Sequence, residues 1–401
     1  MPAKGPLPRV VRSSATSGRR GLELGGYVAA PFAGRMLADL GAEVIKIEAR
    51  AGDPTRTTAG GFFVAYNVGK RSLCLDLSSH EGYSLFEKLL KSADVLIHNL
   101  APMSAQRLKL TYEDCYSINP EAIYCQIKGY GSGPLQNELA SNPIIEAATG
   151  VMDTNRLEGR PTRLGPSYHD MFAGTYAVVG ILAALLAHKT ATESRRVEVA
   201  LYETGLHVAG GELVSSQVSA QTNSGKGRLT RAAFDFPGYG AYQTSDHRWI
   251  YLVMLADEHW KKFSRAMLPG RENDPPLVSV QHRQQHRELV ESLVTNSVAA
   301  LSFDEVAARL HSVGFGYTEV KPNGEVLDEP QAMQPGKVLK AHFLGREYKV
   351  PHLSIVSGSV RRAPDLVPPR FGEHSVEIAQ SLGYDASDCA ALVERGVINT
   401  S

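Results

Sequence analysis

The chain has 401 residues, and its 42 lysines and arginines are balanced by 42 aspartates and glutamates, so its formal net charge is zero. Nucleic acids and acidic membranes attract proteins with an excess of positive charge, so we expect neither as a partner and a small molecule as the ligand. The hydrophobic content of 43% and the charged content of 21% are those of a globular protein long enough for two domains.

The four cysteines lie far apart in the chain and form no CxxC pair. This spacing argues against a disulfide scaffold or a zinc site, and no HExxH motif or carboxylate cluster indicates another metal. We therefore expect no metal and a reducing, cytoplasmic location. Residues 1–20 are basic and free of acids, which is typical of flexible tails and of some mitochondrial transit peptides. A flexible tail is our interpretation, and a mitochondrial location is the alternative.

Short β-rich runs alternate with helical patterns from Gly21 to Ile127. The predicted strands are Leu22–Leu24, Glu43–Glu48, Ser72–Leu77, Asp94–Asn99 and Ala122–Ile127. A first helix is expected to begin at Pro31, because the fixed φ and missing donor of proline suit the first helical position, and to end near Gly41. This alternation predicts an α/β fold with a Rossmann-like parallel sheet and ligands at the carboxyl ends of its strands.

The second half of the chain begins with a long apolar helix, predicted from Met171 to about His188. Its uncharged run is at the lower limit for crossing a bilayer and contains two glycines, so we interpret it as a buried helix. A strand at Arg196–Ala200 and a helix towards Ser216 follow, and the polar run Thr222–Gly227 is typical of a linker.

Beyond the linker, Tyr239–Thr244 and Trp249–Met254 flank a turn in the pattern of a β-hairpin, and two helical patterns follow. We therefore expect a large domain from residues 21–221 that resumes at 321–401, and a smaller α+β domain at 222–320. A closing helix is predicted near Ser375–Leu382.

Three groups of residues are candidates for chemistry. Gly25 and Gly26 lie between a strand and a helix, with Glu48 about twenty residues on, which suggests an NAD site; however, GxGxxG is absent and Pro31 replaces a glycine of that fingerprint. Asp170 directly precedes the apolar helix, where an aspartate is most often an N-cap, although the helix dipole would also keep a nucleophilic carboxylate ionised. Basic residues recur after the predicted strands and could bind a phosphorylated ligand.

Several blocks of this sequence occur in the same order in a known family. They are Leu22–Leu24, Pro31–Gly34, Leu37–Ala42, Val44–Glu48, Gly52–Pro54, Asn67–Ser72, Leu75–Leu77, Ala93–Asn99, Asn119–Pro120, Gly129–Pro134, Ala173–Gly174, Gly180–Leu185, Pro330–Gln331 and Gly372–Ser375. In these blocks the chain strongly resembles the class III CoA-transferases, the formyl-CoA and carnitine CoA-transferase family. The resemblance covers roughly residues 20 to 400.

The resemblance implies an enzyme that moves coenzyme A from an acyl-CoA to a free carboxylic acid, as a homodimer of interlocked subunits. It implies that Asp170 is the nucleophile, which forms first a mixed anhydride and then an aspartyl-CoA thioester. Coenzyme A is then a substrate, with no permanently bound cofactor. The matching also implies CoA contacts, which fall on Tyr27, Val28, Ala29, Arg50, Lys70, Arg71, Asn99, Arg107, Lys128 and Tyr130.

Loops containing Ala29, Ala30 and Gly131 are candidates for binding the oxyanions of this chemistry. His169, Gly131 and Arg231 are the candidate contacts to the acceptor acid, and arginines near the nucleophile favour a small dicarboxylic acid of the succinate, malate, itaconate or mesaconate type. Surface arginines without a substrate role are the alternative.

Departures from the family pattern narrow the activity. Val28 replaces a glutamine of some members, and Ala49 replaces an arginine of some relatives. No run of consecutive glycines precedes Tyr242, and the absence of that run disfavours formate or oxalate as the substrate. The related α-methylacyl-CoA racemase has a histidine where Ser141 stands, and serine is a poor general base. A racemase-like isomerase, an NAD-dependent oxidoreductase and a non-catalytic CoA-binding protein remain as alternatives.

Overall fold

The computed structural model describes residues 16–187, 195–221, 236–355 and 367–400. The strands within them are β1 (Arg20–Leu24), β2 (Glu43–Glu48), β3 (Arg71–Leu75), β4 (Val95–His98), β5 (Ile123–Lys128), β6 (Arg156–Leu157), β7 (Arg160–Pro161), β8 (Arg196–Ala200), β9 (Gly240–Gln243), β10 (Trp249–Leu252), β11 (Tyr317–Glu319), β12 (Val338–Phe343), β13 (Arg346–Pro351) and β14 (Ile398–Asn399).

The α-helices within the same residues are α1 (Ala29–Asp39), α2 (Thr55–Thr58), α3 (Gly60–Asn67), α4 (His80–Lys91), α5 (Pro102–Arg107), α6 (Tyr112–Ile118), α7 (Asn142–Ala148), α8 (Val151–Thr154), α9 (Tyr168–Ala187), α10 (Leu201–Val208), α11 (Gly210–Gln221), α12 (Asp257–Met267), α13 (Val280–Gln285), α14 (Arg287–Ala299), α15 (Phe303–Ser312), α16 (Ser375–Ser381) and α17 (Ala386–Glu394). The described residues also contain one 3₁₀ turn, Val326–Asp328.

The contacts between residues divide the chain into two compact units. The larger comprises the described residues of Met1–Met152, Arg163–Gly210 and Gln331–Ser401, and the smaller those of Asp153–Thr162 and Gly211–Pro330. Most of the predicted tail, residues 1–15, and the predicted linker Thr222–Gly227 lie outside the described residues. Thr16 is buried and Arg20 begins β1, so the end of the predicted tail is part of the fold.

A seven-stranded sheet forms the centre of the larger unit, in the order β14-β3-β2-β1-β4-β5-β8. All neighbouring pairs are parallel except β14 with β3, which confirms the predicted mostly parallel sheet. Each parallel connection carries helices across a face, so the inner strands are buried on both sides, as the burial of all four residues of β4 illustrates. The antiparallel edge strand β14 and the helix α17 before it were not predicted.

Two apolar clusters cover the two faces of this sheet. One packs α4, α16 and α17 against one face, and the other packs α1 and α9 against the opposite face. α1 begins at Ala29 and not at the predicted Pro31, which is the third residue of the helix. Proline is tolerated throughout a first helical turn, because no N–H of that turn has an intrahelical acceptor.

The helix α9 is long and apolar enough to span a bilayer by length and composition. Its residues Ala173, Ala177 and Ile181 are completely buried in the cluster with α1. This packing is that of a core helix, the interpretation predicted from the sequence, although α9 also carries an exposed apolar face that is described below.

The smaller unit contains the antiparallel sheet β11-β10-β9. The predicted hairpin corresponds to β9 and β10, and the two predicted helical patterns correspond to α14 and α15. Its core surrounds Trp260 and Phe263 of α12, both completely buried. This unit is therefore of the α+β class.

Candidate active site

A cavity of about 550 Å³ lies at the carboxyl edge of the large sheet, beside the ends of β1 and β4. The chain leaves these two neighbouring strands in opposite directions, and such a point in an open α/β sheet is where ligands bind. The wall consists of Tyr27, Val28, Ala29, Asn99–Pro102, Ile127–Gly129, Gln136–Pro143, Ser167, Asp170 and Leu201.

Asp170 is the third residue of α9, and its side chain lines this cavity. Burial raises the pKa of the Asp170 carboxyl to about 6, and no hydrogen bond or ion pair with the described residues offsets that effect. The sequence suggests that the helix dipole keeps this carboxylate ionised even when it is partly buried. A pKa near 6 still leaves about nine tenths of the groups ionised at pH 7.

The start of α9 is capped by a residue from another helix. The backbone N–H of His169 donates to Oδ1 of Asn142, the first residue of α7, over 2.9 Å. Asp170 is therefore not the N-cap that its sequence position suggests. Because Asn142 accepts the free N–H group at the start of α9, the carboxylate of Asp170 remains available to the cavity.

The N-terminus of α1 faces the same cavity through Val28 and Ala29. Val28 is the N-cap residue of α1 and provides no side-chain cap, and Pro31 has no N–H. Among the described residues no backbone acceptor takes the N–H groups of Ala29 and Ala30. Free N–H groups at a helix start favour negative charge, so they can stabilise an oxyanion beside Asp170.

The loop between β1 and α1 is held from both sides. Asn99 accepts the N–H of Gly26 over 3.2 Å and donates to the Gly26 carbonyl oxygen over 3.0 Å. The buried ammonium of Lys46 donates to the Gly25 carbonyl oxygen over 2.7 Å, and Asp53 accepts the N–H of Tyr27. These bonds hold Tyr27 in the left-handed region, at φ 63°, with its ring 61% exposed.

A second cavity, of about 350 Å³, lies on the other side of this loop. It is lined by the ends of β1, β2 and β3, and Leu100 belongs to the walls of both cavities. Arg107, the last residue of α5, is exposed at its rim and forms no ion pair with the described residues. An extended ligand with an anionic end therefore has a cation in the second cavity and a carboxylate in the first.

Comparison with known proteins gives the family. Residues 17–375 match the model of CoA-transferase family III. The chain belongs to this family. This confirms the resemblance predicted from the sequence and shows that the protein is a CoA-transferase.

Several relatives of this CoA-transferase are named for dicarboxylic acids. The chain is 33% identical to the succinate–glutarate CoA-transferase of Agrobacterium fabrum, over 92% of this chain and 96% of that protein. It is 28% identical to the succinyl-CoA–D-citramalate CoA-transferase of Chloroflexus aurantiacus, over 94% of this chain and 97% of that protein. A solved CaiB/BaiF family protein from Brucella suis aligns with a TM-score of 0.82 and 25% identity, covering 92% of this chain and all of that one.

Six of the predicted CoA contacts of this family III enzyme lie at the two cavities. They are Tyr27, Val28, Ala29, Asn99 and Lys128 on the wall with Asp170, and Arg107 at the second cavity. Arg50 follows β2 near the second cavity, where its guanidinium lies 3.6 Å from Asp76 and is largely exposed. The structure thus brings together residues that are far apart in the sequence.

Two predicted phosphate contacts lie elsewhere. Lys70 is buried in the core, and its ammonium donates to Glu23, to the Pro31 carbonyl oxygen and to Asn67 over 2.5 to 2.9 Å. Burial lowers the pKa of Lys70 to about 8. Arg71 begins β3, at the amino edge opposite the cavities, and pairs with Glu43 over 2.7 Å. In both cases the sequence predicted a ligand contact, and the structure places the cation in an internal ion pair.

Three further predicted contacts are turned away from the cavity. Tyr130 is buried against Tyr202, with ring centroids 5.5 Å apart. His169 is 2% exposed beneath α10, and burial lowers its pKa. The N–H of Gly131 already donates to both carboxylate oxygens of Glu203, over 3.0 and 3.1 Å, which corrects its expected role as an oxyanion donor. Arg231 lies outside the described residues.

Glu48, the ribose acceptor of the NAD alternative, is already engaged. Arg56 donates to both of its carboxylate oxygens, over 2.7 and 2.8 Å, and Ser72 donates over 2.9 Å. A carboxylate with these partners is poorly placed to bind a ribose. Within the described residues, no group of three or more His, Cys, Asp or Glu side chains is arranged to hold a metal ion.

Sequence reasoning missed two residues beside the nucleophile. The Tyr66 hydroxyl lies 3.7 Å from Sδ of Met171, and burial together with the negative charge of Asp170 raises its pKa. Asn142 directly follows Ser141, and the sequence analysis assigns it no role. An asparagine before a proline at a helix start is a common local pattern, so nothing in the sequence distinguishes Asn142 as a functional residue. Nothing in the sequence distinguishes Tyr66 either.

Proposed function

We propose that this family III enzyme transfers coenzyme A from an acyl-CoA to a free carboxylic acid with Asp170 as the nucleophile. The observation that carries the proposal is the Asp170 carboxylate, which lines the cavity without a partner among the described residues, beside the N-terminus of α1. A carboxylate in an ion pair would be a weaker nucleophile, and one without a cavity could not meet a thioester.

The reaction proceeds by four exchanges at Asp170. The carboxylate attacks the thioester carbon, the carbon–sulfur bond breaks, and a mixed anhydride and a CoA thiolate result. The thiolate attacks the aspartyl carbonyl, which releases the donor acid and leaves an aspartyl-CoA thioester. The acceptor carboxylate attacks this thioester to give a second anhydride and a thiolate, which then takes the acceptor acyl group and returns Asp170 as a carboxylate. The N–H groups of Ala29 and Ala30 stabilise the oxyanions of these steps.

The CoA nucleotide is proposed to occupy the second cavity, with its thiol end in the first. Arg107 offers a fork of donors to phosphate oxygens there. The loop Gly25–Tyr27 lies between the cavities, and its anchoring by Asn99 and Lys46 keeps the passage from one to the other in a fixed shape.

The acceptor is proposed to be a small dicarboxylic acid. The relatives named above act on glutarate and D-citramalate, and another is named for mesaconate. In this chain Lys128 provides a cation on the cavity wall, 3.1 Å from Glu198. A second substrate carboxylate can pair with that ammonium while the first reacts at Asp170.

A homodimer is proposed from the outer face of α9. Phe172, Val179 and Leu186, spaced by seven residues, share that face and are 39%, 59% and 76% exposed. An apolar stripe of this length is typical of an interface, and a second copy of the chain, interlocked with the first, would cover it. Size-exclusion chromatography of Val179→Glu tests this, with a shift from dimer to monomer expected and an unchanged volume contradicting it.

Trapping tests the nucleophile directly. The enzyme is incubated with succinyl-CoA and no acceptor, quenched with hydroxylamine, and digested for mass spectrometry. A hydroxamate is expected on Asp170 and should be absent from Asp170→Asn. Modification at another carboxylate would contradict the assignment. A panel of mono- and dicarboxylic acceptors with the same donor then tests the acceptor, and preference for monoacids would overturn that part.

A further inference from the structure

A short chain of hydrogen bonds joins the nucleophile helix to α7. Nδ2 of Asn142 donates to Oε1 of Glu146 over 2.5 Å, and Oδ1 of Asn142 accepts the N–H of His169 over 2.9 Å. Oε2 of Glu146 accepts the N–H of Leu164 over 3.0 Å. Asn142 is 3% exposed and Glu146 is completely buried, so both side chains have little freedom to choose other partners.

The partners determine which way the Asn142 amide points. The His169 N–H can only donate, so the amide oxygen of Asn142 must face α9, and its NH₂ group then donates to Oε1 of Glu146. By accepting from that NH₂ group, Glu146 keeps the amide that holds the first turn of α9 in this orientation.

The same arrangement keeps the Glu146 carboxylate off the wall of the cavity, which already contains Asp170 and Glu138. Asn142 lines the cavity together with Asp170, whereas Glu146 lies one turn further along α7 and is not part of the wall. The cavity must bring the Asp170 carboxylate and an acceptor carboxylate together, and a further anion on its wall would oppose both. A neutral amide at 142 provides the required acceptor for the His169 N–H without that charge.

We infer that Asn142 is the positioning residue of the nucleophile: oriented by Glu146, it fixes the first turn of α9 and so aims Asp170 into the cavity. This inference rests on the proposed role of Asp170. It adds to that role a pair of residues that act through the backbone of His169, outside the reacting atoms.

Exchanging the two functional groups tests the inference. Asn142→Asp places two carboxylates face to face. Glu146→Gln leaves a single amide oxygen to accept from the two donors that Glu146 satisfies in the parent, Nδ2 of Asn142 and the N–H of Leu164. The double variant restores all three bonds. Its carboxylate at position 142 accepts from the His169 N–H and from the new amide at position 146, and the oxygen of that amide accepts from Leu164. We expect each single variant to lose at least about tenfold in kcat and the double variant to recover to within about threefold of the parent, since small displacements of reacting groups cost this much.

The pH profile separates positioning from a purely structural role. The double variant exchanges the carboxylate at position 146 for one at position 142 on the cavity wall, which should shift its kcat/KM profile to higher pH than that of the parent. The other titratable groups around Asp170 are Tyr66 from α3, Tyr27, Lys128 and Glu138 on the wall, and His169; Arg163 lies 3.9 Å from Glu146. All are unchanged in the variants, so a shift reports the charge at position 142.

Asn296→Asp is the matched control, since it makes the same chemical change on the exposed surface of α14 in the smaller unit. It should keep the kcat and pH profile of the parent. Single variants with parental kcat, or a double variant no more active than the singles, overturn the inference. A double variant that fails to fold, judged by circular dichroism, also overturns it, because every bond of the parent is available to it.

Failure of the inference can be told from failure of the proposed function. Hydroxylamine labelling of the parent decides whether Asp170 is the nucleophile. Thermal unfolding of the four proteins measures the coupling of positions 142 and 146 whether or not they turn over. If Asp170 is labelled in the parent but the double variant does not recover activity, the inference is overturned and the proposed function is not.

Discussion

Gly174 of α9 lies against the carbonyl oxygen of Ala29 in α1, so closely that a Cβ atom at Gly174 would be 2.7 Å from that oxygen. Gly174 is one helical turn after Asp170 and so shares its helix face. The absence of a side chain at this contact allows the two helices to approach, and that approach brings the nucleophile beside the free N–H groups of α1.

Gly174→Ala tests this contact. The added methyl group would also lie 3.1 Å from the ring of Phe32, so the helices must separate. We expect a lower melting temperature, corresponding to a loss of about 1–3 kcal/mol in the free energy of unfolding, and a larger loss in kcat than in substrate affinity. Gly61→Ala in α3, where a Cβ would have open space, is the control and should change neither. Parental kcat in a folded Gly174→Ala would contradict the account.

The rate of transfer should depend on the ionisation of Asp170. Burial raises the pKa of this carboxyl to about 6, and only the carboxylate form can attack a thioester. As the pH falls through 6, kcat/KM should therefore decrease, with a limiting slope of one proton. The measurement is kcat/KM for acyl-CoA from pH 4.5 to 8. A profile that stays level down to pH 4.5 would be inconsistent with a buried aspartate nucleophile.

Asp170→Asn should stabilise the protein while it abolishes transfer. An acid whose pKa is raised on folding binds its proton more tightly in the folded state, so its ionisation costs stability as the pH rises from 3.8 to 6. Removing the charge should gain up to about 3 kcal/mol above pH 6, and the gain should vanish near pH 4. Thermal unfolding of parent and variant at pH 4 and pH 8 measures it, and equal stability at pH 8 would refute the burial of a charged Asp170.

Arg107→Ala should weaken the binding of the CoA donor. The guanidinium at the rim of the second cavity can bind phosphate, and the loss of one charged hydrogen-bonding partner costs about 1.5–3 kcal/mol, or about ten- to a hundredfold in KM. We expect kcat at saturating donor and the KM of the acceptor acid to stay near the parent values. Arg346→Ala, an exposed arginine on β13, is the control. An unchanged donor KM would remove Arg107 from the CoA site.

Local pattern predicted much of the larger unit. The five predicted strands correspond to β1 to β5 within about two residues, because each is a short β-rich run between turns. The antiparallel strand β14 was missed, since Ile398–Asn399 is too short for a recognisable period and is held by its register against β3.

The roles of the lysines and arginines were the hardest to predict from the sequence. Lys70 and Arg71 directly precede the predicted strand Ser72–Leu77, Arg107 and Lys128 follow predicted strands, and nothing local distinguishes a buried ion pair from a ligand contact. Lys70 became a core residue because Glu23, two strands away in the sheet, provides a buried carboxylate for it. Arg107 remained exposed because α5 ends at the rim of the second cavity.

The order of the first five strands, the family and the identity of the candidate nucleophile were determined by the sequence alone, because each depends on residue types at fixed spacings along the chain. The capping of α9 by Asn142, the raised pKa of Asp170 and the engagement of Gly131 by Glu203 were decided only by the tertiary structure. Hydrogen bonding and desolvation act between atoms brought within a few ångströms by folding, and residues such as Asn142 and His169 are far apart along the chain.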